Sequence, residues 1–332
     1  MRDLGIPVVL LAAIAFPWSV QAQKYDPHAI PRLPGAELLV AGYVPERYLL
    51  TTEDKTITLQ EDDIGLGSGP SISSNGSIVA SARRIPGDRS RAPRRVLSTY
   101  SVKDGKWTDH LEFEGVNQLA ISPDGSKLAC VTADHQLHVL DLPHIRFRVL
   151  DLKTGKITVV EELSHFPMGL SWSPDGRRIA FDKRPPDSEI GSDIRAIYVA
   201  NIETGKISQV GLGQSPSWSP SGEWIAYVSY IEGSELHQDS NFHAGRYYAI
   251  NDFQVTLMSP IGTHPRILMG FHSDVVPNLK PVWSPDSQTL LVNKSWNPDN
   301  GTFDIYMVDV VTGKTTMRFK NVGPVYAWGE AK

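Results

Sequence analysis

Cysteine is nearly absent from the chain, with one residue, Cys130, in 332. This excludes an intrachain disulfide and any metal site built from several cysteines. An excess of positive charge is also missing, because 32 Lys and Arg stand against 37 Asp and Glu, for a formal net charge of -5. A general nucleic-acid binder is normally basic, so we expect no nucleic-acid partner.

Long apolar runs are scarce, and the one that stands out lies at the start of the chain. Arg2 precedes an apolar stretch, and the segment closes on Val20-Gln21-Ala22, whose small residues match a secretory cleavage site. Residues 1–22 are therefore predicted to be a signal peptide, cleaved after Ala22, with an uncleaved membrane anchor as the alternative. We expect a periplasmic or secreted mature chain without a membrane span.

Motifs of common enzymes are missing as well. No G-x-S-x-G elbow and no H-E-x-x-H pair occurs, and the glycine-rich stretch 65–69 lacks the Lys-Ser/Thr ending of a phosphate loop. The sequence therefore predicts no catalytic residue, no metal ligand set and no cofactor.

A repeated pattern dominates what is present. An apolar pair, a Ser-Pro-Asp-Gly turn and an apolar strand recur at 119–132, 170–183, 216–229 and 281–294, with a weaker copy at 70–83 and a truncated one at 324–332. A second pattern, a strand followed by a Thr-Gly-Lys-type turn and another strand, alternates with the first at 100–107, 150–160, 199–210 and 308–319. Both turns connect strands in hairpins, so each repeat holds four antiparallel strands.

Four-stranded repeats of this length are typical of a β-propeller. Six inner strands predict an all-β, six-bladed propeller over residues 35–332, preceded by a linker over 23–34. The last blade is expected to combine the C-terminal strand with three N-terminal strands, near 35–43, 46–55 and 56–63. A seven-bladed ring is the alternative if residues 230–258 contain further strands.

These motifs resemble the TolB-type repeat, also called WD40-like or PD40. The residues that carry the resemblance are Ser122–Gly125, Ser173–Gly176, Ser219–Gly222 and Ser284–Asp286. TolB, a periplasmic component of the Tol–Pal envelope system, has an α/β domain before its propeller, which this sequence is expected to lack. Similar repeats occur in prolyl oligopeptidase-like peptidases and in oligogalacturonate lyases.

Long connections are expected at one end of the propeller, opposite the tight motif turns. They span 83–95, 183–195, 230–250 and 294–303. Function concentrates on loops that a rigid scaffold holds, so we expect binding there. The predicted binding residues are Arg83, Arg84, Arg94, Arg95, His237, His243, Arg246 and Trp296.

Two kinds of chemistry motivate these residues. Arginine forks suit carboxylates or phosphates, which favours an acidic partner, an anionic glycan or a lipid head group. Imidazoles in the 230–250 stretch, with His165 and His272 on the same end, suit acid–base or metal chemistry, although their spacing matches no known ligand motif.

The function expected from the sequence is a non-enzymatic protein-binding platform of the cell envelope, acting through the long connections. Two alternatives remain open: a carbohydrate lyase or hydrolase with its site at the channel mouth, and a glycan-binding module without chemistry.

Overall fold

The computed structural model describes the chain in segments. These are residues 37–43, 47–51, 56–60, 69–85, 94–113, 115–134, 144–186, 194–230, 237–238, 248–249, 252–272, 280–297, 302–322 and 324–330. They form strands and turns, and no helix among them is long and apolar enough to cross a membrane.

Five four-stranded antiparallel sheets, here called blades 1 to 5, are each built from one continuous segment of the chain. In the lists below, the labels β1 to β3 are kept for three N-terminal strands. Blade 1 contains β4 (Ser71–Ile72), β5 (Ile78–Arg84), β6 (Arg95–Ser101) and β7 (Lys106–Phe113). Blade 2 contains β8 (Gly115–Ile121), β9 (Lys127–Asp134), β10 (His144–Asp151) and β11 (Ile157–Leu163). Blade 3 contains β12 (Leu170–Trp172), β13 (Arg178–Lys183), β14 (Ala196–Asn201) and β15 (Ile207–Leu212).

Blades 4 and 5 follow the same plan, with one insertion. Blade 4 contains β16 (Gln214–Trp218), β17 (Ile225–Tyr230), β20 (Asp252–Met258) and β21 (Arg266–His272). Between β17 and β20 lies a separate two-stranded sheet of β18 (His237–Gln238) and β19 (Tyr248–Ala249). Blade 5 contains β22 (Val282–Trp283), β23 (Thr289–Asn297), β24 (Thr302–Asp309) and β25 (Thr315–Val322).

A closing sheet joins the two ends of the described chain in the order β26-β1-β2-β3. Its members are β1 (Glu37–Tyr43), β2 (Arg47–Thr51), β3 (Thr56–Gln60) and β26 (Val325–Glu330). β26 pairs antiparallel with β1, so that Leu39 lies opposite Trp328. This pairing covers strand edges that would otherwise be open to another chain.

The predicted blade count needs correction. The sequence predicts six blades, whereas the structure contains five blades, each built from its own segment, and a closing sheet of mixed origin. The prediction counted the sheet that combines the C-terminal strand with three N-terminal strands as a sixth blade, but that sheet is assembled from both ends of the described chain and is not a repeat of its own. The insertion in blade 4 does not make a seventh blade, since β18 and β19 pair only with each other among the described strands.

Local hydrogen bonds explain why the motif turns form. In the turn of blade 2, the Ser122 hydroxyl donates to the Asp124 carboxylate at 2.6 Å, and the Gly125 amide donates to the Ser122 carbonyl at 2.9 Å. Gly125 has a φ of 73°, which a side chain would disfavour. In the second turn of blade 2, the amide and hydroxyl of Thr154 donate to Asp151 and lower the pKa of that carboxyl.

The core lies between neighbouring blades. One cluster joins blades 2 and 3, where the rings of Phe147 and Phe181 are 5.2 Å apart and both side chains are fully buried. Cys130 on β9 belongs to the cluster between blades 1 and 2, and its burial raises the pKa of its thiol to about 12. The single cysteine is therefore a packing residue.

Candidate functional site

The blades present two different ends. The motif turns connect β4 to β5, β8 to β9 and their equivalents, and we call this end the turn face. The opposite end, where β5, β13, β17 and β23 finish, we call the loop face, and long connections follow β5, β13 and β17 there. The fourth predicted long connection, 294–303, is short in the structure, because β23 continues to Asn297 and β24 begins at Thr302. The predicted separation of tight turns from long connections is therefore present at three of the four predicted places.

Tryptophans and serines of the inner strands hold neighbouring blades together. Trp172 Nε1 donates to the Ala120 carbonyl of blade 2, and Trp283 Nε1 donates to the Ser217 carbonyl of blade 4, both at 2.9 Å. The Trp218 amide donates to Ser171 Oγ in blade 3 at 2.8 Å. These side chains are buried and serve packing between blades, which gives the loop face a rigid support.

The arginines of the 83–95 connection contact their own blade. Arg83 binds the Asp109 carboxylate at 2.9 Å and stacks on Trp107, and Arg94 pairs with Glu112 at 3.3 Å. Both acidic residues lie on β7, the outer strand of blade 1.

The third described arginine of this connection, Arg95, is buried, and its Nη1 donates to the Ala82 carbonyl at 3.3 Å. Arg84 ends β5, and its side chain lies outside the described residues. The described guanidinium groups are therefore used at least in part within blade 1.

The remaining predicted residues are placed less fully. His237 lies on β18 opposite Ala249, and Trp296 lies on β23 opposite Phe303, but their side chains are outside the described residues. His243 and Arg246 lie wholly outside them. The expected convergence of these side chains stays a prediction.

The other two histidines of this end are His165 and His272, and only the side chain of His165 lies among the described residues. His165 is exposed and contacts Ser164 Oγ at 3.0 Å, and His272 ends β21. Within the described segments, no group of three His, Cys, Asp or Glu side chains is arranged to hold a metal ion.

A buried carboxylate that the sequence analysis did not single out organises the inner rim of the loop face. Asp182, at the end of β13, is fully buried. Its Oδ1 accepts hydrogen bonds from the amides of Gly169 at 3.0 Å and Ser215 at 3.1 Å, and its Oδ2 accepts one from the amide of Met168 at 3.0 Å. Arg195 Nη1 donates to Oδ2 at 2.9 Å and to the Phe166 carbonyl at 3.0 Å.

This arrangement joins the segment that leads into blade 3 to the segment that leads into blade 4. Complete burial raises the pKa of the Asp182 carboxyl, and the Arg195 guanidinium and the bound amides oppose that shift. The carboxylate is saturated with donors and closed to solvent, so its role is to fix the rim.

Ser215 carries a local strain at the same rim. It has a φ of 55°, unusual for a residue with a side chain, and its hydroxyl is buried without a hydrogen-bond partner among the described groups. The hydrogen bond that the Ser215 amide donates to Asp182 holds this conformation. Gly169 packs against Ser215 so closely that a Cβ at position 169 would lie 3.1 Å from the Ser215 Cα.

Lys280 is the second feature of the rim that the sequence analysis missed. It lies just before β22 of blade 5, and its Nζ approaches the Leu170 carbonyl of blade 3 at 3.4 Å. The contact joins two blades that are not consecutive along the chain, since blade 4 lies between them in sequence. Part of Lys280 remains in contact with solvent, but surrounding protein desolvates its amine and lowers its pKa to about 8.

We call Asp182, Arg195, Ser215, Lys280 and Leu170 the channel-mouth cluster. Three members lie next to the starts of the inner strands β12, β16 and β22, and the other two, Asp182 and Arg195, flank the connection between β13 and β14 at the same end. Alignment of the repeats would have revealed Asp182. The equivalent positions in other blades are Ala82, Val131, Val228 and Asn293, so a charged residue is the exception. Lys280 has no such signal, since it lies outside the repeated motif.

The turn face has its own concave feature between blades 4 and 5. A cleft with a volume of about 300 Å³ is lined by Trp224, Asp286 and Val311, among others. Arg266 also borders it, and its Nη1 donates to the Val311 carbonyl at 3.1 Å. The cleft is distant from the long connections and provides a comparison surface for binding experiments.

Comparison with known proteins supports the fold. No protein family model matches the chain. The uncharacterized peptidase YuxL of Bacillus subtilis is 29% identical over 128 residues, which make up 37% of this chain and 16% of YuxL. The chain therefore aligns with a small part of that relative.

Two solved structures resemble the whole propeller. TolB from Acinetobacter baumannii aligns with a TM-score of 0.63 and 16% identity, over 90% of this chain and 68% of TolB. An oligogalacturonate lyase in complex with manganese aligns with a TM-score of 0.54 and 16% identity, over 86% of this chain and 74% of the lyase. The chain has a TolB-like β-propeller fold.

Proposed function

We propose that this chain is a periplasmic or secreted propeller that binds a protein partner through its loop face, without catalysis. The observation that carries the proposal is the asymmetry of the two ends. The turn face is closed by short hydrogen-bonded turns, whereas the long connections all begin and end at the loop face, on blades joined by buried hydrogen bonds. A rigid scaffold with variable loops at one end is suited to partner recognition.

The channel-mouth cluster supports binding more than acid–base chemistry. Asp182, its buried carboxylate, is occupied by four donors, and the described arginines of the 83–95 connection are engaged with Asp109, Glu112 or a backbone carbonyl. Such groups hold a surface in shape and do not exchange protons with a substrate easily.

The cellular location is part of the same proposal. We propose that residues 1–22 direct export and are removed after Ala22, which leaves the linker 23–34 and the propeller 35–332. Expression of the full chain in a bacterium with a periplasm tests this. We expect a periplasmic product whose first residue is Gln23, and a membrane-bound product that retains residues 1–22 would contradict it.

Quantitative affinity capture tests the binding function. Mature chain 23–332 is immobilised and exposed to an envelope extract of the organism that encodes it, and captured proteins are quantified by mass spectrometry at increasing extract concentration. We compare Ile194→Asp, on the loop face, with Ile261→Asp, on the turn face. Both isoleucines are exposed, at 39% and 76%, so neither change disturbs the core.

The expected result is one saturable partner whose capture falls about tenfold with Ile194→Asp, because a charge would be buried in the interface. Ile261→Asp should capture as the parent does. Loss of capture with Ile261→Asp alone would place the interface on the turn face. The absence of any saturable partner would refute the proposed binding function. Turnover of an oligosaccharide by the purified chain would instead favour the carbohydrate-active alternative.

A further inference from the structure

Charge is compensated unevenly within the channel-mouth cluster. The Asp182 carboxylate and the Arg195 guanidinium form an ion pair at 2.9 Å, so their charges cancel locally. Lys280 has no carboxylate of this kind among the described residues, and the Leu170 carbonyl at 3.4 Å is its hydrogen-bond acceptor there. The cluster as described therefore carries one cation more than it has anions.

An ammonium group has three N–H donors, and a single distant carbonyl satisfies one of them. Desolvation without a counter-ion disfavours the charged form, which agrees with the lowered pKa of Lys280. A lysine in such a setting gains more from a carboxylate than a fully solvated lysine does, because the charge-assisted hydrogen bond forms where water competes less.

Lys280 lies at the loop face and is not fully enclosed by protein. The residue lies before the inner strand β22, on the segment entering blade 5, and retains some solvent contact. Its side chain reaches toward Leu170 at the start of β12. A group bound beside the starts of β12 and β22 would therefore lie next to this amine.

We propose that Lys280 is the receptor for a carboxylate carried by a protein segment that enters the channel mouth, and that this contact anchors the bound partner. The inference rests on the proposed function of the loop face. The carboxylate comes either from an Asp or Glu side chain or from a chain terminus. Both offer the same oxygen acceptors, and the experiment below separates them.

The test follows the acylation rate of Lys280 in the mature chain 23–332, with a small amine-selective reagent and peptide mapping by mass spectrometry. The neutral amine reacts, so the Lys280 rate should rise with pH around a midpoint near 8. Lys153, exposed in a turn at the other end of blade 2, is the internal control.

Three blocked pentapeptides serve as probes. One has a Glu side chain and an amidated C-terminus, one has Gln and a free C-terminal carboxylate, and one has Gln and an amidated C-terminus. Each is used at about 10 mM, tenfold above the roughly 1 mM Kd that a weak single contact would give. A fourth probe, digalacturonate, carries its carboxylates on a sugar.

We expect one of the two carboxylate peptides to slow acylation of Lys280 about threefold to tenfold at pH 8, because a bound anion favours the ammonium form. Acylation of Lys153 should be unchanged, and the neutral peptide should have no effect. The protecting peptide identifies the side-chain or the terminal source. Equal protection by the neutral peptide, protection by digalacturonate alone, or no protection would overturn the proposal.

Capture of the partner provides a second readout that separates this inference from the proposed function. Lys280→Met should reduce capture about tenfold, and Lys280→Arg, which keeps the charge, should restore part of it. If the parent and Lys280→Met capture the same partner equally, the carboxylate receptor is refuted while the binding platform stands. If the parent captures no saturable partner, the platform itself is refuted.

Discussion

The substitution Asp182→Asn tests the structural reasoning at the channel mouth most directly. It preserves the size of the side chain and removes its charge. The remaining oxygen still accepts the amides of Gly169 and Ser215. The new amide nitrogen takes the place of Oδ2, which in the parent accepts from Arg195 Nη1 at 2.9 Å and from the Met168 amide at 3.0 Å. Donors would then face donors, and a buried guanidinium would lose its counter-ion.

The size of the effect follows from burial. Arg195 is 7% exposed and Asp182 is fully buried, and removal of one partner from a buried ion pair typically costs about 3–5 kcal/mol. The second bond of Arg195, to the Phe166 carbonyl, offsets part of this cost. We therefore expect a loss of about 3 kcal/mol in the free energy of unfolding, and a fall of roughly 4–5 °C in Tm for a chain of this size.

Urea unfolding followed by tryptophan fluorescence measures the loss. The matched control is Asp175→Asn in the blade 3 motif turn, where the carboxylate is partly exposed and accepts bonds from Ser173 and the Arg177 amide. That change should cost about 1 kcal/mol. If both variants lose the same amount, or if Asp182→Asn loses less than about 1 kcal/mol, then the buried pair does not fix the rim as argued.

Three further predictions concern individual side chains. Ser215→Gly should raise the free energy of unfolding by about 1 kcal/mol in the same urea assay, because it relieves a φ of 55° and removes an unsatisfied hydroxyl. Ser215→Ala removes the hydroxyl but keeps the strained backbone, so it should recover only the hydroxyl contribution. Cys130, with a thiol pKa of about 12, should fail to react with an aromatic disulfide reagent at pH 8 in the native chain and react fully in urea. The pKa of Lys280 falls from 10.5 to about 8 on folding, so the folded chain loses this proton at a lower pH than the unfolded chain does. The stability of the parent relative to Lys280→Met should therefore rise between about pH 8 and 10.5, by at most about 3 kcal/mol, and a difference independent of pH would contradict the desolvation of the amine.

The strands could be predicted because the turns that join them are local. Ser122, Asp124 and Gly125 make their hydrogen bonds within a few residues of one another, so the motif contains nearly all the information that the hairpin needs. Assembly into a ring depends on distant partners instead. The pairing of β1 with β26 joins opposite ends of the described chain, and the blade count was the part of the fold prediction that needed correction.

The arginine-rich connection shows why composition is a poor guide to a site. The sequence places several guanidinium groups together and predicts an anionic partner. The registers of β5 with β6 and of β6 with β7 bring Asp109 and Glu112 beside Arg83 and Arg94, so acidic residues of the same blade provide much of the compensation. Strand register is set by cross-strand packing, which the spacing of residues along the chain does not reveal.

Residues that depart from the repeat make contacts between sheets that the repeat motif does not predict. Position 182 and its equivalent in blade 5, Asn293, are polar where the other blades have Ala or Val. Each binds the segment that begins the next sheet: Asp182 accepts the Ser215 amide, and Asn293 both donates to the Val325 carbonyl and accepts the Val325 amide, each at 2.9 Å.

The motif turns contain a similar pair of departures. Ser221 replaces the motif Asp, and Ser287 replaces the motif Gly at a φ of 63°. The Ser221 amide donates to Ser287 Oγ at 2.9 Å, so the change in blade 5 provides the acceptor for blade 4. These departures from the repeat are explained by contacts with the next sheet in the ring. Ser221 and Ser287 therefore have to be interpreted together, as do Asp182 and Ser215 at the opposite end.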